Sequence, residues 1–177
     1  DMVKNILESS YYIGFMAFGV TFIIITGGID LSLGTVMMTA ALLGGYSFKQ
    51  GWPLIASVIL TILVGVVFGF INGNLIAKLR LPPFIATLGT QMMAAGLGSL
   101  ITKVQSQTWP TATAEIGGWF KKVFIRAELF GVKGFPVSVF WLIGFFIIAS
   151  LVLHKTKFGR YVYAIGSNEE ATRLSGI

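Results

Sequence analysis

Charged residues divide the chain into long apolar runs. Residues 9–29 carry no charge, and neither do 31–48, 50–77, 81–102 and 134–153. Together these five runs hold 109 of the 177 residues. About 20 residues at a rise of about 1.5 Å cross the hydrocarbon core of a bilayer, so an uncharged apolar run of about 18 or more predicts a transmembrane helix. A soluble protein that buried five such helices would need a polar shell, and the remaining residues are too few to build one. Barrel strands would alternate polar and apolar positions, whereas Phe22-Ile-Ile-Ile25 and Phe145-Phe-Ile-Ile148 do not alternate. The pattern predicts an all-α polytopic membrane helix bundle of about five transmembrane helices.

Composition agrees with the pattern. The chain is 55% hydrophobic and 11% charged, against about 25% charged residues in a soluble domain. With no Cys, disulfides, thiolate metal sites and thiol nucleophiles are excluded. A single His makes a His-based metal or acid–base site improbable. No catalytic residue, metal or cofactor is expected, and the formal charge of +6 reads as lipid contact and topology rather than nucleic acid. Charge alone does not orient the bundle. Six basic residues (Lys78, Arg80, Lys155, Lys157, Arg160, Arg173) fall on the side of the C-terminus and seven (Lys4, Lys49, Lys103, Lys121, Lys122, Arg126, Lys133) on the other.

Polar residues inside the runs are the candidates for a solute path. Asp30 is the only charge between residues 9 and 48, within Thr26-Gly-Gly-Ile-Asp-Leu-Ser-Leu-Gly34. Either the first two spans turn tightly through Gly27 and Gly28, or a helix breaks inside the membrane, where irregular backbone is tolerated only beside protein or a water-filled cavity. Asp30 can cap the next helix, with Ser32 in its first turn. Asn72 suits an interhelical hydrogen bond or a solute. Pro82-Pro83 would stop one helix and start another. Thr87, Thr90 and Gln91 are uncharged, which fits a neutral polar solute and equally fits helix packing. Candidate path residues are therefore Gly27, Gly28, Asp30, Ser32, Asn72, Thr87 and Gln91.

Two further segments differ from the spans. In residues 103–133, Ile116, Trp119, Phe120, Val123, Phe124, Ala127 and Phe130 share one helical face, with Lys121, Lys122, Arg126 and Glu128 opposite. That predicts an amphipathic interfacial helix, serving as a membrane anchor or as a docking surface. After a basic collar at 154–160, Asn168 followed by Glu169 and Glu170 reads as a helix N-terminus. So short and polar a helix needs a partner to support it. No phosphate-binding G-x-x-x-x-G-K-[ST] loop occurs, so the chain does not itself load nucleotide that way.

Four stretches in order closely resemble the permease subunits of bacterial ribose/galactose/xylose-type (monosaccharide) ABC importers. They are Thr26-Gly-Gly-Ile-Asp-Leu-Ser-Leu-Gly34, Pro82-Pro-Phe-Ile-Ala-Thr-Leu-Gly89, Phe158-Gly-Arg-Tyr-Val-Tyr-Ala-Ile-Gly166 and Asn168-Glu-Glu-Ala-Thr-Arg-Leu-Ser-Gly176. The last matches the family's E-A-A-x-x-x-G loop, with Thr172 in place of the second Ala. The resemblance implies that Asn168, Glu169, Glu170, Ala171, Arg173 and Gly176 form a coupling segment (166–177) on the cytoplasmic side that docks on an ATPase subunit. It implies a multi-pass protein of the bacterial plasma (inner) membrane, with 103–133 extracytoplasmic. It also implies a chain of about half the family's ten-span length, a partial permease domain over 1–177. Its partners would be an ABC ATPase subunit, a sugar-binding protein, a second permease copy (homodimer or paralogue) and membrane lipid, with a monosaccharide as solute. Nucleosides, autoinducer-type molecules and branched-chain amino acids are alternatives on the same architecture. A secondary transporter or channel and a purely structural subunit are the readings of a different class.

Overall fold

A computed structural model describes residues 2–110, 116–129 and 132–176. The described residues are predominantly helical, in two compact units.

The first unit comprises residues 1–28 and 110–177. Helix α1 (Met2–Ile25) packs along α6 (Ser138–Lys155) through aromatic rings. Phe145 lies 5.3 Å from Phe15 and 5.8 Å from Phe18, and Leu142 fills the space beside Gly14. The turn after α1 has a glycine cap: Gly27 is left-handed (φ +77°), its N–H donates to the Ile24 carbonyl, and the Gly28 N–H donates to that of Ile23. Between these helices lie α5 (Gly118–Phe124) and an antiparallel hairpin of β1 (Arg126–Leu129) and β2 (Val132–Pro136). Beyond α6, Thr156 accepts a hydrogen bond from the Gly159 N–H and starts α7 (Lys157–Ser167). A last short helix, α8 (Glu169–Leu174), follows.

The second unit, residues 29–109, is a three-helix bundle of α2 (Leu33–Lys49), α3 (Leu54–Ala77) and α4 (Pro83–Thr102). Its apolar centre is small: Val36, Phe68 and Ala94, with Val64 against them. Small and hydroxylated residues do much of the packing, as expected where lipid tails are as apolar as leucine. The Thr39 hydroxyl donates to the Ala94 carbonyl (3.0 Å), that of Ser47 reaches Ser57 (2.9 Å), and Gly98 lies against Thr39. Trp109 covers Gly44 and Gly45, and its indole N–H donates to the Ala41 carbonyl. The two prolines act as expected, Pro82 preceding α4 and Pro83 opening it.

Each of the five predicted spans coincides with a helix. Among the described residues, three of them (α3, α4 and α6) are long and apolar enough to cross a membrane. Helix α1 has 24 residues, with Ser10–Ile25 a described apolar stretch, and α2 has 17. The expected span at 31–48 counted Leu31 and Ser32, which lie ahead of α2 in the polar segment that caps it. The interfacial helix is also shorter than its periodicity suggested. It ends at Phe124, and Arg126, Ala127 and Glu128 belong to β1. Phe130 lies outside the described residues. The reason is local: β1 pairs with β2 through Arg126–Pro136 and Ala127–Phe135, which takes this stretch out of the helix.

Candidate functional site

The polar residues of the second unit converge where α2 begins. Asp30 Oδ1 accepts from the Ser32 N–H (2.7 Å) and the Ser32 hydroxyl (2.6 Å). The Ser32 oxygen in turn accepts from Asn72 Nδ2 (2.9 Å), and Asn72 Oδ1 accepts from the Thr90 hydroxyl (2.7 Å). Every donor therefore points along one direction, from α4 through α3 to the carboxylate ahead of α2. Thr87 Oγ1 accepts from the Leu31 N–H (3.3 Å) and donates to the Pro83 carbonyl (2.8 Å). Ser32, Thr87 and Thr90 are at most 1% exposed and Asn72 is 6% exposed. Such groups are costly to bury unless paired, and here they pair with one another.

Of the expected path residues, the structure brings together Asp30, Ser32, Asn72 and Thr87. Ser32 is the N-cap residue rather than part of the first turn of α2, and Asp30 bonds the cap's own N–H. Gln91 is half-buried and makes no hydrogen bond to this cluster. Gly27 and Gly28 belong to the first unit, where they end α1. Thr90, the donor at the head of the chain, was not among the expected site residues. Its signal was its place three residues after Thr87, on the same face of a helix.

The second candidate site is the segment after α7. Asn168 is extended, and its side-chain oxygen accepts from the Ala171 N–H (2.9 Å), capping α8. Glu169 and Glu170 occupy the first turn and Arg173 the last, which suits the helix dipole at both ends. Thr172, the departure from the motif, is buried and donates to the Asn168 carbonyl (2.7 Å), so it reinforces the turn. Ala164, Ser167, Asn168, Ala171, Thr172 and Ser175 line an open groove of about 250 Å³. Gly176 closes α8 at φ +82°, where glycine is favoured. Leu174, which sequence reasoning passed over, is 80% exposed beside the charged residues. Among the described residues, no group of three His, Cys, Asp or Glu could hold a metal ion.

Apolar helices long enough to span a bilayer, joined internally by buried hydroxyl and amide groups, define a multi-pass membrane helix bundle. The chain belongs to the family described as the permease component of branched-chain amino acid transport systems, whose profile matches residues 2–177. It is thus a multi-pass protein of the bacterial inner membrane. It is 40% identical over 176 residues to a ribose import permease of Bacillus subtilis, covering 99% of this chain and 52% of that protein. A ribose import permease of Escherichia coli K12 is 38% identical over 176 residues, covering 98% of this chain and 52% of its own. A fructose import permease of Rhizobium meliloti is 36% identical over 173 residues, covering 97% and 48%. The chain spans about half the length of these curated relatives. No solved structure matches it.

Proposed function

We propose that the protein is the membrane permease subunit of an ATP-driven sugar importer and works by alternating access. The observation that carries this reading is the match along nearly the whole chain to import permeases for ribose and fructose. Its partners are an ATPase subunit, a sugar-binding protein and a second permease copy. The hydrolytic chemistry belongs to the ATPase, and the sugar crosses unmodified.

Within this reading, α8 is the coupling element. Glu169, Glu170 and Arg173 are exposed and can pair with charges on the ATPase, and Leu174 supplies an apolar contact. The Asn168 cap holds the helix in shape while its partner moves. In the second unit, the buried residues Ser32, Asn72, Thr87 and Thr90 support the path, since their polar atoms are already engaged. Asp30 and Gln91 are half-buried and retain surface for a solute hydroxyl. A neutral solute fits these spans better than an amino acid, whose two charges would each need a counter-charge. Branched-chain amino acids remain the second reading because the family description names them.

The test is ATP-coupled uptake by the reconstituted importer carrying Glu170→Arg or Gly176→Trp. Both variants are expected to insert normally and to lose ATP-coupled uptake. Normal uptake in either would refute the assignment of α8 as the coupling element.

A further inference from the structure

One surface of the first unit serves neither the solute path nor the coupling segment. Trp119 and Val123 lie one turn apart on α5 and are 52% and 41% exposed, and Ile116, just ahead of the helix, is 75% exposed. The neighbouring arc turns towards the protein. Phe120 and Phe124 have ring centroids 4.9 Å apart, and Phe124 stacks on Trp141 at 5.1 Å. The Trp141 indole N–H donates to the Val123 carbonyl at 2.9 Å. Trp141 is in the first turn of α6, a helix long and apolar enough to cross a membrane. This bond and this stack hold α5 level with the end of a span, the depth at which Trp is enriched in membrane proteins. Lys122, exposed, flanks this apolar stripe, and Lys121, half-buried, lies opposite it. Residues 115–136 hold Lys121, Lys122, Arg126 and Lys133 against Glu115 and Glu128, a basic excess.

The geometry points to α5 as an in-plane anchor on an anionic bilayer surface. Ile116, Trp119 and Val123 enter the boundary between headgroups and acyl chains, and Lys121 and Lys122 meet lipid phosphates. Apolar residues alone would serve in any bilayer. The paired lysines commit the surface to anionic headgroups.

Site-directed spin labelling of the intact protein tests this, because the chain has no cysteine of its own. Val123→Cys is labelled in nanodiscs of phosphatidylcholine, with or without phosphatidylglycerol. The label is expected to be more accessible to dissolved oxygen than to an aqueous nickel complex. That preference should rise about twofold with phosphatidylglycerol. Lys121→Gln/Lys122→Gln should remove the rise, and a label at Lys122→Cys should face the nickel complex. A Val123→Cys label as exposed to nickel as an aqueous loop, in both lipids, overturns the proposal. So does protection that appears only when the sugar-binding protein is added, which would make the stripe a protein-docking surface. A preference indifferent to phosphatidylglycerol overturns the anionic assignment.

Discussion

Asn72 is the residue on which the second unit's polar chain depends, because its amide both accepts from Thr90 and donates to Ser32. Asn72→Ala removes both bonds from a buried site. The expected loss is about 1–3 kcal/mol, the cost of stranding buried polar groups. It should fall towards the lower end, since the Thr90 hydroxyl can turn to the Thr87 carbonyl at 3.1 Å. Thermal unfolding in detergent measures it. Adding Thr90→Val should cost less than the sum of the single changes, and strict additivity would show that the two residues do not act together. Glycine positions divide in the same residue-level way. A Cβ at Gly166 would collide with the backbone carbonyl of Ile25, which cannot rotate away. Gly166→Ala is expected to destabilise by about 1–3 kcal/mol. Gly65→Ala has open space within this chain and should be neutral or slightly stabilising in the same assay. Sequence alone could not have separated Gly166 from Gly65, because a short-range pattern does not record which backbone passes nearby.

At the scale of elements, the helices were readable from charge gaps because each gap is longer than a lipid-crossing helix requires. Their ends were less readable. Leu31 and Ser32 are uncharged and so joined the second run, yet Asp30 holds Ser32 outside α2. The 116–130 periodicity was real over Trp119, Phe120, Val123 and Phe124, whose rings and apolar side chains do share one side of α5. It failed beyond Phe124 because hairpin pairing through Arg126 and Pro136 competes with helix extension. The polar cluster was legible in its residue types, since Asp, Ser, Asn and Thr in otherwise apolar runs need partners. Which of them pair depends on the rotation of α3 against α4, which no local pattern encodes. The α8 cap was legible as Asn168 followed by two glutamates. Asn168→Ala should cost about 1 kcal/mol and speed amide hydrogen exchange at Ala171, while Asn168→Asp keeps the cap and the protection. Unchanged exchange in the alanine variant would contradict the cap's role.

For the whole molecule, the two units divide the work proposed for a permease. One carries the hydrogen-bonded bundle with its half-buried carboxylate, and the other carries the aromatic anchor and the capped polar helix. The family match fixes the class, and the sugar cargo proposed above rests on the ribose and fructose permeases among the relatives. The most direct test is uptake of labelled ribose and fructose by proteoliposomes. These would contain the intact permease, its ATPase and its sugar-binding protein. ATP hydrolysis should drive uptake of one of the sugars, and uptake should cease when the permease is omitted or ATP is replaced by a non-hydrolysable analogue. Uptake that persists without ATP and follows an ion gradient would contradict the account.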